Sequence, residues 1–203
     1  MSEWSWVAGV LEGDGTFPVR KHGRIGVKAS MADHDIIEKL ATVTGVGHVR
    51  PEKRRDGRKS MLIWEVSQWK DAEWVCGAIF NQMSPRRQEQ IRMGTQVEAR
   101  IFETDPVAWA GGYLDAEACF GLGRSSTPRI DIEATDLEPM QRVQGILGGS
   151  LTGPHPGRLD HHSPTWSWWI LNAPALEAMA VVREWLSFRR TDKVDDILAA
   201  CAR

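Results

Sequence analysis

No stretch of the chain strings together the roughly 18 apolar residues that a bilayer span requires, so a membrane protein is not expected. The opening residues, MSEWSW, lack the basic-then-apolar order of a secretory signal, and the protein is expected to stay in the compartment where it is made. Cysteine is scarce. Cys76, Cys119 and Cys201 are odd in number and far apart, which speaks against a disulfide framework or a zinc cluster and for reduced thiols that serve packing. An excess of positive charge is missing too, since the formal net charge is -2. That sum hides a local excess: between Pro18 and Ser60 eleven Lys/Arg stand against five acids, whereas Gly121 to Thr165 holds four Arg and five acids. With 42% apolar and 26% charged residues, the composition is that of an ordinary globular protein with a real core.

What is present is a sequence written twice. WVAGVLEGDGTF at Trp6 to Phe17 is echoed by WAGGYLDAEACF at Trp109 to Phe120, an offset of 103 residues. Asp33 and Asp136 each precede an apolar helical pattern that stops at glycines, Gly45/Gly47 and Gly148/Gly149. SPRRQEQI at Ser84 to Ile91 returns as SFRRTDKV at Ser187 to Val194. Two repeats are therefore expected, over residues 1–102 and 103–203, joined near Glu103 to Asp105.

Each repeat reads as helix, hairpin, helix, hairpin and two further helices, an α+β arrangement of tandem αββαββα units. The first hairpins are expected over 16–21 and 24–31, turning at His22-Gly23, and over 119–124 and 128–134. The second hairpins turn near Asp56-Gly57 and across the Pro/His-rich stretch Pro154 to Pro164. Asp105-Pro106 is a cap and first-turn pair for the second motif helix, and Ser84 and Ser187 read as caps of the last helices.

The motif helices carry small residues four apart, Gly9 and Gly13 in one and Gly112 and Ala116 in the other, which lie on one helix face. Glycine costs a helix about 1 kcal/mol each, so a face this bare predicts a close partner, and the natural partner is the other motif helix. Asp14 and Glu117 then fall at the C-terminal ends, where a carboxylate meets the negative end of the helix dipole at a cost of about 0.3–1 kcal/mol. Function must supply the reason. A divalent cation relieves two such acids, and hard oxygen ligands select Mg²⁺ or a similar ion able to activate a phosphate and a water. Two matched acids suit a substrate with two matched strands, duplex DNA. Glu12 and Asp115, two residues earlier, point elsewhere on the helix and read as structural.

AGVLEGDG at Ala8 to Gly15 and GGYLDAEA at Gly111 to Ala118 resemble the two motifs of single-chain LAGLIDADG homing endonucleases, and TGVGHV at Thr44 to Val49 and SPRR at Ser84 to Arg87 extend the resemblance over nearly the whole chain. The resemblance implies a pseudo-twofold, saddle-shaped monomer with two antiparallel sheets in the DNA major groove, and metal-assisted hydrolysis across the minor groove. It places the metal-binding and catalytic acids on Asp14 and Glu117, with Gly13 and Ala116 beside the metal, and the basic active-site residues on Arg86 and Arg189. Mg²⁺ is the implied cofactor, with Mn²⁺ or Ca²⁺ able to substitute in binding. A bacterial or phage source would place the protein in the cytoplasm with the nucleoid. Departures exist: Ala118 stands where the first motif has Gly15, Glu replaces Asp in the second, and Ala29 and Ile132 lie where a polar water-positioning residue is expected.

For DNA reading, the first hairpin offers Arg20, His22, Arg24 and Lys28, and its counterpart offers Arg124, Ser126, Arg129, Asp131 and Glu133. Lys53, Arg54, Arg55, Arg58 and Lys59 at a hairpin tip read as phosphate anchors. Ten tryptophans invite a base-stacking role, but Trp6 with Trp109 and Trp64 with Trp168 occupy matched positions and are expected in the cores. His155, His161 and His162 lack the spacing of a zinc site. An RNA-splicing maturase, a non-cutting DNA-binding regulator and a protein-interaction module are the alternative uses of such a scaffold.

Overall fold

The computed structural model describes residues 2–52, 60–94, 97–157 and 163–202. By packing it divides into two compact units, Met1–Ala116 and Glu117–Arg203, a division separate from the repeat period of the sequence. The first sheet contains β1 (Gly15–Thr16), β2 (Val27–Met31), β3 (His48–Glu52) and β4 (Met61–Val66) in the antiparallel order β1-β2-β4-β3. The second contains β5 (Cys119–Leu122), β6 (Pro128–Ala134), β7 (Ser150–His155) and β8 (Thr165–Leu171) in the same order, β5-β6-β8-β7. The helices repeat as well: α1 (Glu3–Asp14), α2 (His34–Thr44), α3 (Trp69–Ile79) and α4 (Pro85–Arg92), then α5 (Pro106–Glu117), α6 (Leu137–Leu147), α7 (Asn172–Val182) and α8 (Phe188–Cys201). The fold is α+β and duplicated, as the sequence implies.

Alternation explains the sheets. In β2, Val27, Ala29 and Met31 are buried while Lys28 and Ser30 are only half-buried; in β6, Pro128, Ile130 and Ile132 are buried while Arg129 and Glu133 are exposed. The first hairpin is shorter than its sequence suggests. Pro18 has no N–H to give, and beyond β1 only an isolated bridge, Val19 to Ile25, continues the pairing. The turn does fall at His22 and Gly23, both with positive φ (66° and 69°). Helices α2 and α6 stop at glycines, as expected: Gly45 is left-handed (φ 65°, ψ 9°), and Gly148 also has a positive φ (76°) but an extended ψ (-148°).

The cores mirror one another. Trp64 and Trp168 are fully buried, and each donates its indole N–H at 2.9 Å to the carbonyl just past the preceding helix, Val46 and Gly148 respectively. Trp6 and Trp109 are buried in α1 and α5, helices covered on every side from Ser5 to Glu12 and from Ala108 to Asp115. The cysteines do not all pack: Cys76 is buried, Cys201 is half-buried, and Cys119 is exposed because it sits on the outer face of β5, in register with Asp131. No helix of the described residues is long and apolar enough to cross a membrane.

Candidate active site and nucleic-acid interface

Helices α1 and α5 cross at their glycines. A Cβ on Gly9 would collide with the carbonyl oxygen of Trp109 and stand 2.7 Å from the Tyr113 backbone nitrogen; a Cβ on Gly112 would collide with the carbonyl oxygen of Trp6. The two contacts are reciprocal, glycine of one motif against tryptophan backbone of the other. Trp6 adds a hydrogen bond from its indole to the buried Asp115 carboxylate at 3.1 Å, and the Lys39 ammonium lies 4.1 Å from the Trp6 ring centre. At the start of α5, Asp105 accepts from the backbone N–H groups of Val107 and Ala108, both at 3.0 Å, the cap its position predicts.

Asp14 is the last residue of α1. Its carboxylate reaches solvent and accepts no hydrogen bond from the described residues, so its oxygens are left for another partner. The protein crowded around it desolvates it in part and raises its pKa, against the pull of the Arg87 charge. Glu12, one turn-fraction back, has a different task. It is buried and accepts from both the backbone N–H and the hydroxyl of Ser84, at 2.8 and 2.7 Å. Burial still raises its pKa, with the Ser84 bonds, Arg87 and Arg86 opposing.

Arg87 joins these parts, and sequence reasoning undervalued it. Its guanidinium is buried and donates to the carbonyl oxygens of Glu12 (3.0 and 2.7 Å), Gly13 (2.8 Å) and Gly15 (2.8 Å). Glu12 and Gly13 belong to the last turn of α1, whose carbonyls have no partner within the helix, and Gly15 follows its end; the Arg87 cation there favours the negative end of the helix dipole. The same residue lies in the first turn of α4, a poor place for a cation on that helix alone. A basic pair in a first turn, present in both repeats, was the available signal. Arg87 also lies 6.0 Å from the Phe17 ring centre, and its counterpart Arg190 lies 5.9 Å from that of Phe120, the matched phenylalanine.

Arg86 and Arg189 are exposed in the first turns of α4 and α8. Ser84 caps α4, its hydroxyl accepting from the Arg87 N–H at 3.4 Å; Ser187 holds the matching position, buried, without a side-chain cap bond. Gly13 already accepts from Arg87, but a carbonyl has a second lone pair. Glu117 ends α5, half-buried, with Ala116 before it. Among the described residues no cluster of three or more His, Cys, Asp or Glu side chains is set to hold a metal.

Of the residues expected to meet DNA, Lys28 lies on β2 and Arg129, Asp131 and Glu133 lie on β6. Lys28 is in register with Glu65, which is in register with His48. Glu65 takes ion pairs from Arg20 (2.6 Å) and from Arg50 (3.2 Å), the latter not foreseen from sequence. His22 is exposed in the turn, and Arg24 lies 5.5 Å from the Trp69 ring centre rather than along the strand. In the second sheet Arg129 pairs with Asp131 at 3.0 Å, and Glu133 accepts from Thr165 at 3.2 Å. Arg124 and Ser126 lie in the turn between β5 and β6. Trp169 occupies the position of Glu65, in register with Asp131 and Ser150. Lys53, Arg54, Arg55, Arg58 and Lys59, the Asp56-Gly57 turn, and His161 and His162 lie outside the described residues.

No protein-family model matches the sequence, and no curated protein matches it either. Solved structures do match: the chain has the fold of single-chain LAGLIDADG meganucleases. The LAGLIDADG meganuclease I-AabMI bound to uncleaved DNA is similar at a TM-score of 0.60 and 11% identity, over 100% of this chain and 91% of that one. I-SmaMI bound to an uncleaved DNA target in the presence of calcium ions gives 0.54 and 14%, over 100% and 92%. The LAGLIDADG homing endonuclease I-GzeII in complex with its DNA target gives 0.54 and 10%, over 97% and 88%.

Proposed function

We propose that the chain is a LAGLIDADG homing endonuclease, a monomer that cuts both strands of a specific duplex DNA site with the help of a divalent metal. The reciprocal crossing of α1 and α5 at Gly9 and Gly112 carries this reading. So close a crossing joins two helices whose last residues are the acids Asp14 and Glu117. The DNA complexes of I-AabMI, I-SmaMI and I-GzeII, on the same fold, support a duplex DNA substrate.

Asp14 and Glu117 would hold the cation, with the carbonyls of Gly13 and Ala116 next to them. The donor set fits Mg²⁺: Asp14 has uncommitted carboxylate oxygens, and such an ion takes one or two carboxylates and completes its shell with water and phosphate. When bound, the ion supplies Lewis-acid activation of the phosphate and a water of lowered pKa; Mn²⁺ or Ca²⁺ would serve for binding. Arg87 holds the carbonyl end of α1 in place and keeps Asp14 in position. Arg86 and Arg189, exposed and cationic, would steady the scissile phosphates. The outer faces of the two sheets would read base edges.

Cleavage of a partly randomised duplex library with Mg²⁺, by the wild type and by Asp14→Asn and Glu117→Gln, tests the reading. One sequence family cut on both strands by the wild type alone is the expected result. Sites that are bound and never cut would replace the enzyme by a regulator or maturase.

A further inference from the structure

We propose that Glu65 couples Arg20 and Arg50 into one guanine-reading unit on the outer face of the first sheet, so that two base positions of the DNA target are not read independently. The inference rests on the reading of that face as a DNA-contacting surface and adds the residues that set base preference there. Glu65 stands in the middle of the row Lys28, Glu65, His48. Its Oε1 accepts from Arg20 Nη2 at 2.6 Å and its Oε2 from Arg50 Nη2 at 3.2 Å. One arginine comes from the loop after β1 and the other from the edge strand β3, so a single carboxylate ties together two otherwise separate parts of the surface.

Arg20 is confined further. Its Nη2 also donates to the Ser67 hydroxyl at 3.3 Å, and Gly26 leaves room for it, since a Cβ there would stand 2.9 Å from Arg20 Nε. A guanidinium is a rigid plane with five N–H donors, so anchoring one nitrogen restricts the whole group. Neither Nη1 donates to a described residue, which leaves donors for a base edge. The acceptor pair that arginine matches in the major groove is O6 and N7 of guanine. A side chain ordered before binding loses less rotamer freedom on contact, and the shared carboxylate lowers the mutual repulsion of two cations that approach one stretch of duplex. In the second sheet Trp169 occupies the matching register position and no such clamp can form, so the coupling belongs to one half-site.

The test is enrichment of a partly randomised duplex pool by the wild type in Ca²⁺, followed by affinity measurements on single-base variants of the enriched site. The expected result is two guanine positions in one half-site, one lost in Arg20→Ala and the other in Arg50→Ala. Glu65→Gln, whose amide has one acceptor oxygen and cannot hold both arginines, should weaken both preferences by roughly fivefold or more with an unchanged Tm. Independently of that variant, the loss in Arg20→Ala/Arg50→Ala should depart from the product of the single losses by about threefold or more. Multiplicative losses, or a Glu65→Gln protein with both preferences intact, overturn the coupling while DNA binding stands. A wild type that enriches no sequence overturns the DNA reading and the coupling with it.

Discussion

Trp6 donates its indole N–H to the carboxylate of Asp115 at 3.1 Å, and through that bond the first motif helix holds a buried acid of the second. Phenylalanine fills most of the indole volume but has no donor. Trp6→Phe is expected to lower the unfolding free energy by about 1–3 kcal/mol, the cost of removing a partner from a buried polar group. Urea denaturation at neutral pH reads this directly, and a change below about 0.5 kcal/mol, the scale of an ordinary surface substitution, would mean that the bond contributes nothing.

Glycine-to-alanine substitutions should split by location. Gly9→Ala and Gly112→Ala drive a methyl into the backbone of the opposing helix and should each cost upwards of about 2 kcal/mol, as overpacking at an unyielding contact does. Gly145, within α6, has nothing within 4 Å of an added Cβ. Gly145→Ala should therefore raise stability by about 0.5–1 kcal/mol through helix propensity alone. Thermal melts of the three variants check both directions, and equal losses at all three would refute the crossing.

The neighbouring arginines should separate stability from cleavage. Arg86 is exposed, so Arg86→Ala should leave stability within about 0.5 kcal/mol while abolishing the cutting of a bound site. Arg87→Met keeps the stem but strips the α1 carbonyls of their donor, and should cost about 3–5 kcal/mol, as does removing one partner from a buried charge network. Denaturation and cleavage assays run side by side decide it; the reverse pattern would exchange the two roles.

The duplication, the strand pairs and the core tryptophans were legible because each is written as a period or a repeat. Val27, Ala29 and Met31 alternate with polar residues, and Trp64 and Trp168 sit at matched positions, so local rules and global packing agree. Arg87 was less legible. In its own helix a first-turn cation looks unfavourable, and only the carbonyl end of α1, far away in sequence, reverses that sign. Arg50 and Glu65 escaped for a similar reason, since their partnership depends on strand order rather than spacing. Cys119 looked like a packing residue because scarcity says nothing about which face of a strand a side chain takes.

The thiols give a pH-dependent prediction. Burial, seconded by the charge of Glu73, pushes the Cys76 thiol up to about 12 from the ordinary 9.0. The folded protein then holds this proton more tightly than the unfolded chain. Its contribution to stability is full below pH 9 and is lost as pH rises toward 12, a loss that Cys76→Ala should flatten. At pH 8 a disulfide reagent should modify the exposed Cys119 promptly and Cys76 only after unfolding. Bound target duplex should shield Cys119, and labelling that ignores the duplex would remove the outer face of β5 from the interface.

The glycine crossing between α1 and α5 is nearly self-complementary, each helix offering the other the same small residue and the same tryptophan backbone. A surface of that kind closes on a copy of itself, as in a twofold dimer. Carrying both halves on one chain turns their encounter into an intramolecular event, so assembly no longer depends on protein concentration and neither half can pair with the wrong mate. The two members of a tethered pair need not stay equal. Glu65 in one sheet and Trp169 in the other is what that freedom looks like at one site, and on the proposed function it would open non-palindromic sequences to a scaffold built on symmetry.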